Sequence, residues 1–149
     1  MLYPTAEQTL AACAAELTEM APHIQPAYRG AVLTYVATLL KTASESWDGA
    51  AHLLVQENRA LRALFVRIAP VIADDTLAAR LAGLQQGEDE DLRISALLAT
   101  NETLRAALID AQIAIEDSEG AEARAAEDDI WSELRASTER RCHSGDMYY

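Results

Sequence analysis

The chain has 149 residues, with 24 acidic and 12 basic side chains, three histidines and two cysteines. This length suits one domain, and the composition excludes a collagen-like or a disulfide-stapled chain. Leucine, isoleucine, valine and phenylalanine together number 33, only just above the level typical of disordered chains, whereas alanine alone numbers 30. With four prolines and six glycines in an alanine- and leucine-rich chain, most of the sequence is predicted to be helical.

The negative charge is concentrated in the second half of the chain. Residues 1–74 carry 7 acids and 5 bases, whereas residues 75–149 carry 17 acids and 7 bases. Such a surface repels a phosphate backbone and an anionic membrane, so we expect no direct binding to nucleic acid or to a membrane.

The start of the chain lacks the basic and apolar regions of a signal peptide, and its uncharged stretches are too short to cross a bilayer. The two cysteines have no metal-type spacing, which favours a reduced, cytoplasmic setting. Eleven arginines to one lysine favour a bacterial source.

Apolar spacing predicts the helices of the first half. Thr5 and Gln8 match a capping box at the start of the first helix. A second helix is predicted over 27–44, followed by a break at 46–49 and a third helix over 50–69. The predicted inner face of the second helix consists of Tyr28, Val32, Tyr35, Leu39 and Ala43.

The second half continues with a short helix capped by Asp74 or Asp75, and then a polar loop at 83–90. A long helix is predicted from about Asp89 to Asp117, and an acidic helix follows Gly120. The sequence therefore predicts an all-α fold, an antiparallel bundle of four to five main helices with a short connecting helix and an acidic C-terminal helix. Residues 1–140 are expected to form this single domain and 141–149 a flexible tail.

The third and fifth helices share the string N-x-x-L-R-A, and each has a leucine four residues before its asparagine. Asn58 and Asn101 thus occupy core-type positions of two heptad seams, where an unpaired amide would cost roughly 1–3 kcal/mol. Three arrangements satisfy them: they meet in one layer, each meets its own copy across a dimer, or both reach water at the rim. The predicted seam residues are Asn58, Asn101, Leu54, Leu61, Phe65, Leu97, Leu104 and Leu108.

The string LVQENRALRAL, residues 54–64, resembles the zipper segment of basic-leucine-zipper proteins, with Asn58 at the usual core asparagine position. The preceding residues, TASESWDGAAH, contain no basic region. The resemblance therefore implies helix pairing without DNA binding.

Two further surfaces are candidates for binding. Tyr28, Tyr35, Trp47 and Phe65 could line an apolar pocket, although aromatic residues at such spacing are more often plain core. A cluster of acids could dock on a basic protein, although the simpler interpretation is a solvated helix face. These acids are Glu122, Glu127, Asp128, Asp129 and Glu133.

The sequence contains no catalytic motif, no metal-ligand spacing and no cofactor motif, so no catalytic, metal-binding or cofactor-binding residue is predicted. The favoured function is a non-enzymatic helical assembly or interaction module that associates with a second copy through its asparagine-containing seams. One alternative is a helical bundle that binds a small apolar ligand or serves as an accessory subunit of an enzyme. Another is an acidic decoy that inhibits a nucleic-acid-binding protein.

Overall fold

The computed structural model describes residues 4–141, which contain five α-helices and no β-strand. The predicted all-α helical bundle is thereby confirmed. The described residues divide into two compact units, 4–50 and 51–141. In the same part of the chain, no helix combines the length and the apolar composition that a membrane crossing requires.

Helix α1 (Ala6–Met20) begins with the predicted capping box. The Thr5 hydroxyl accepts a hydrogen bond from the backbone amide of Gln8 at 3.2 Å, and the Gln8 side chain accepts one from the amide of Thr5 at 3.1 Å. Each bond satisfies an amide that has no partner within the first turn. The helix gives way to a single 3-10 turn, Ala21–His23, at Pro22.

Helix α2 (Ala27–Ile68) runs for 42 residues without interruption, so the predicted break at 46–49 is wrong. Gly49 is an exposed helical residue, and the hydroxyl of Ser46 donates to the carbonyl of Thr42 one turn earlier. One such glycine costs a helix only about 1 kcal/mol. Because no proline occurs between residues 27 and 68, nothing in this segment stops the helix.

The first unit is a hairpin formed by α1 and the N-terminal part of α2. The Ser44 hydroxyl donates to the carbonyl oxygen of Glu7 at 3.0 Å. At the other end, Gly30 lies so close to Ala21 that an added Cβ would come within 2.5 Å of the Ala21 carbonyl oxygen. These two contacts join early to late positions, so the helices run antiparallel. Small residues occupy the contact, and the buried ones are Ala14, Ala21, Gly30, Ala37 and Ser44.

The second unit contains the rest of α2, a 3-10 turn (Ala69–Val71), α3 (Asp75–Gln85), α4 (Ile94–Glu116) and α5 (Ala121–Arg141). The Asp74 carboxylate caps α3 by accepting from the amides of Thr76 and Leu77 at 2.8 and 2.9 Å. These helices enclose one hydrophobic core. Its largest members are Leu61, Leu64, Phe65, Ile68, Leu81, Leu104, Leu108, Ile115 and Ile130.

Two helix boundaries differ from the prediction. Helix α4 begins at Ile94 and not at about Asp89, because the Asp89 side chain is bound to Arg62 and holds this segment outside the helix. The predicted tail lies outside the described residues except for Arg141, which ends α5 and bonds to Glu57.

Candidate functional site

The two seam asparagines meet inside the second unit. Asn101 Nδ2 donates to Asn58 Oδ1 at 2.9 Å. Both residues are buried, Asn101 with 2% and Asn58 with 0% of its surface exposed. Asn58 Nδ2 in turn donates to the Leu97 carbonyl at 3.3 Å and to Asp89 at 3.1 Å. Of the three arrangements considered, the structure has the single layer within one chain.

The other predicted seam residues are also interior. They are Leu54, Leu61, Phe65, Leu97, Leu104 and Leu108, none of them exposed by more than 9%. Because these side chains are buried within one chain, they offer no surface to a second copy. The prediction that the seams join two copies is therefore corrected: they join α2 to α4.

A buried carboxylate that the sequence analysis missed lies beside the asparagine pair. Glu57 is exposed by only 1% and receives hydrogen bonds from Arg141 Nε at 2.5 Å and from the Ser137 hydroxyl at 3.0 Å. Arg141 Nη2 also bonds to it, and Arg105 Nη2 lies 3.3 Å from the same carboxylate. The signal available in the sequence was position alone, since Glu57 follows Leu54 by three residues on the seam side of α2.

The electrostatics of Glu57 follow from these contacts. Burial by itself would raise the pKa of the carboxyl, because it disfavours the charged form. The hydrogen bonds from Arg141 and Ser137, together with the charges of Arg141 and Arg105, outweigh burial and lower its pKa from 4.5 to about 2. Glu57 is therefore ionised at neutral pH and has no proton to donate.

The repeated N-x-x-L-R string has a structural meaning in this network. Arg62, four residues after Asn58, forms a bidentate pair with Asp89 at 2.9 and 3.0 Å. These hydrogen bonds hold the pKa of Asp89 below its ordinary value despite burial. Arg105, four residues after Asn101, donates to Asn101 Oδ1 at 3.0 Å. In both occurrences of the string, the arginine pairs with a carboxylate that lies next to the asparagine of that string.

This network joins α2, α4 and α5 through hydrogen bonds between buried side chains. Both carboxylates are paired with arginine, so neither is free to act as a general base. Within residues 4–141, no group of three or more histidine, cysteine or acidic side chains is placed to hold a metal ion.

The predicted aromatic pocket is wrong. Phe65 is fully buried in the core of the second unit, whereas Tyr28, Tyr35 and Trp47 lie in the first unit and are exposed by 65%, 64% and 54%. The second unit does have a cleft of about 570 Å³ beside Arg62 and Asp89, but none of these four residues lines it.

The predicted inner face of α2 is in fact its outer face. Tyr28, Val32, Tyr35 and Leu39 are exposed by between 51% and 65%, and Ala43 is also exposed. The opposite side, with small side chains, packs on α1. We call Tyr28, Val32, Tyr35 and Leu39 the α2 stripe. Because the helix is apolar on both sides over residues 30–40, one side is left uncovered.

The predicted acidic face is partly neutralised within the chain. Asp129 pairs with Arg67 at 3.0 Å, and Glu133 pairs with Arg140. In the described part of the chain, Glu122, Glu127 and Asp128 form no ion pair, and Glu122 and Asp128 are exposed. The role of this face in docking a basic protein stays a prediction.

Comparison with protein-family models, curated proteins and solved structures finds no significant match to this chain.

Proposed function

We propose that this protein is a non-enzymatic helical assembly protein that associates with a second copy through the α2 stripe. The observation that carries the proposal is the exposure of four large apolar side chains at helical spacing on one side of α2. Exposed apolar stripes of this kind on otherwise charged proteins mark interaction surfaces.

The area of this surface suits a weak dimer. A fully exposed aromatic side chain offers roughly 150–250 Å², so Tyr28 and Tyr35 at their exposures present roughly 200–320 Å² in each copy. Val32 and Leu39, each about half exposed, and their neighbours add to this. The total removed from water in two copies stays below the roughly 1,200 Å² of a small stable interface, so we expect a weak dimer that forms as the concentration rises.

The distribution of charge along the chain also favours the first unit as the contact between two copies. Residues 30–40 contain no charged side chain, and residues 1–50 carry five acids and two bases. Most of the acidic excess lies in the second unit, where two copies would repel each other. The first unit is therefore where two copies of this chain can approach at the smallest electrostatic cost.

Sedimentation velocity tests the proposal, with protein from roughly 1 µM to 1 mM. We expect the wild type to dimerise as its concentration rises. Val32→Asp buries a charge at the contact, so we expect the dissociation constant to rise at least tenfold. Val66→Asp is the matched control, because Val66 lies on the same helix outside the stripe and is exposed to nearly the same extent, 58% against 55%.

Circular dichroism must show that both variants keep the helical content of the wild type. A wild type that is monomeric throughout would overturn the proposal. Equal weakening by Val32→Asp and Val66→Asp would also overturn it, since the effect would then not be specific to the stripe.

A further inference from the structure

We infer that the two copies pair with their α2 helices antiparallel, so that Tyr28 of each copy packs on Leu39 of the other and Val32 packs on Tyr35. This inference rests on the proposed function and adds to it the orientation and register of the contact. It follows from the order of large and small side chains along the stripe.

The stripe has the spacing of a helix-pairing seam. Its residues follow one another at steps of four, three and four, which alternate as the a and d positions of a heptad. At 1.5 Å per residue the stripe extends about 16 Å, or three turns of α2. Its side chains are exposed to a similar degree throughout, so the whole seam is available to one partner helix.

The two orientations differ in how evenly they fill the contact. A parallel pair places Tyr28 on Tyr28, Val32 on Val32 and Tyr35 on Tyr35, so layers with two rings alternate with a layer of two small side chains. An antiparallel pair centred between residues 33 and 34 gives every layer one tyrosine and one aliphatic residue. Even layers allow dense packing without voids, whereas uneven layers leave cavities or clashes.

The charge nearest the stripe favours the same orientation. Arg29 is exposed, and in the described chain its side chain bonds only to the Tyr28 hydroxyl. A parallel pair places the two Arg29 side chains side by side. The antiparallel pair separates their backbone positions by about 13 Å along the helix axis, which exceeds the distance of about 8 Å over which physiological salt screens a charge. Antiparallel helices also align their macrodipoles favourably.

Because the first unit is a helical hairpin, pairing of the two α2 helices also brings the two α1 helices into the assembly. Within each copy α1 already runs antiparallel to α2, with Ser44 bonded to the backbone of Glu7. An antiparallel pair of α2 helices therefore brings two hairpins together as a four-helix bundle in which α2 packs on α2. The small-residue contacts of each hairpin form the outer layers and the α2 stripes form the central one.

Site-directed disulfide formation tests the orientation. The background replaces both native cysteines (Cys13→Ser and Cys142→Ser), because Cys13 is exposed and would compete. Two proteins are made in it, one with Tyr28→Cys and one with Leu39→Cys, and each is oxidised alone and as an equimolar mixture. We expect a disulfide-linked dimer in the mixture and little in either protein alone, because like positions lie about 16 Å apart along the axis in the antiparallel pair.

The outcomes separate this inference from the proposed function. If each protein forms the disulfide alone as readily as in the mixture, the pair is parallel and the inference is overturned, while the proposed function stands. If the cysteine-free background dimerises in sedimentation and the reduced variants do too, but no disulfide forms, the register is wrong. If the cysteine-free background never dimerises, the proposed function fails and the inference fails with it.

Discussion

Replacing Glu57 by glutamine should destabilise the protein at neutral pH but not in acid. Glutamine keeps the shape of the side chain but removes the negative charge that neutralises Arg105 and Arg141. In the wild type the hydrogen bonds and the arginine charges around this carboxyl outweigh its burial and lower its pKa from 4.5 to about 2, so the carboxyl stays charged. Each pKa unit corresponds to about 1.4 kcal/mol, so the ionised group stabilises the folded chain by about 3.5 kcal/mol at neutral pH.

The sign of the pH dependence follows from the direction of that change. A depressed pKa means that the unfolded chain takes up the proton first as the pH falls. The stabilisation by Glu57 is therefore complete above about pH 5 and disappears as the pH falls from about 4.5 towards 2. Glu57→Gln should lose about 3.5 kcal/mol of unfolding free energy at neutral pH, and this deficit should shrink below about pH 4.

Urea unfolding followed by far-UV circular dichroism measures the deficit, in steps from neutral pH to about pH 3. Wild type and variant are compared at one protein concentration, because association makes the midpoint concentration-dependent. Glu102→Gln is the control: Glu102 is exposed on α4 and forms no ion pair in the described chain, so its effect should stay below about 0.5 kcal/mol. A deficit for Glu57→Gln that does not change with pH would refute the reasoning.

Three other comparisons test the interior contacts by urea unfolding. Asn58→Leu removes three hydrogen bonds of a buried side chain and should cost about 1–3 kcal/mol with the sedimentation behaviour unchanged. A changed assembly would show that Asn58 contacts a second copy. Gly30→Ala forces a Cβ to within 2.5 Å of a backbone oxygen and should cost about 1–3 kcal/mol. Gly49→Ala, with open space around it, should instead gain about 0.5–1 kcal/mol, so effects of the same sign would contradict the helix geometry. Arg62→Ala leaves a buried carboxylate unpaired and should cost about 3 kcal/mol, whereas Arg67→Ala breaks a half-exposed pair and should cost less than about 1 kcal/mol; equal losses would show that burial does not determine the strength of these pairs.

The second unit was accessible to sequence reasoning because the buried side chains of α2 and α4 follow a heptad spacing, although other apolar residues of α4, such as Ile109 and Ile113, are exposed. The heptad spacing located Asn58 and Asn101 at core positions, and the structure brings the two amides to 2.9 Å. The spacing did not locate Glu57, because a carboxylate on a helix is normally solvated. Its main partner, Arg141, lies at the end of a segment with few apolar residues, and a contact across such a distance in sequence leaves no local pattern.

The first unit was harder to predict because α2 is apolar on two sides there. Tyr28, Tyr35 and Leu39 were predicted on the inner face because they are the larger apolar side chains. The side of α2 that is buried depends instead on α1, which presents small residues such as Ala14. Two helices with small facing residues approach closely. At Gly30 even an added Cβ would come within 2.5 Å of the Ala21 carbonyl oxygen, so the large residues remain outside.

The bond between Glu57 and Arg141 also determines how the second unit folds. It joins positions 84 residues apart, and closing a loop of that length costs more entropy than forming any contact within a helix hairpin. Until α5 docks, a chain in which α2 and α4 have already paired holds Glu57 without its bidentate partner, which makes such an intermediate costly. We therefore expect pairing of α2 with α4 and docking of α5 to occur in a single cooperative transition, and a variant truncated before Arg141 to lose that cooperativity together with the contact.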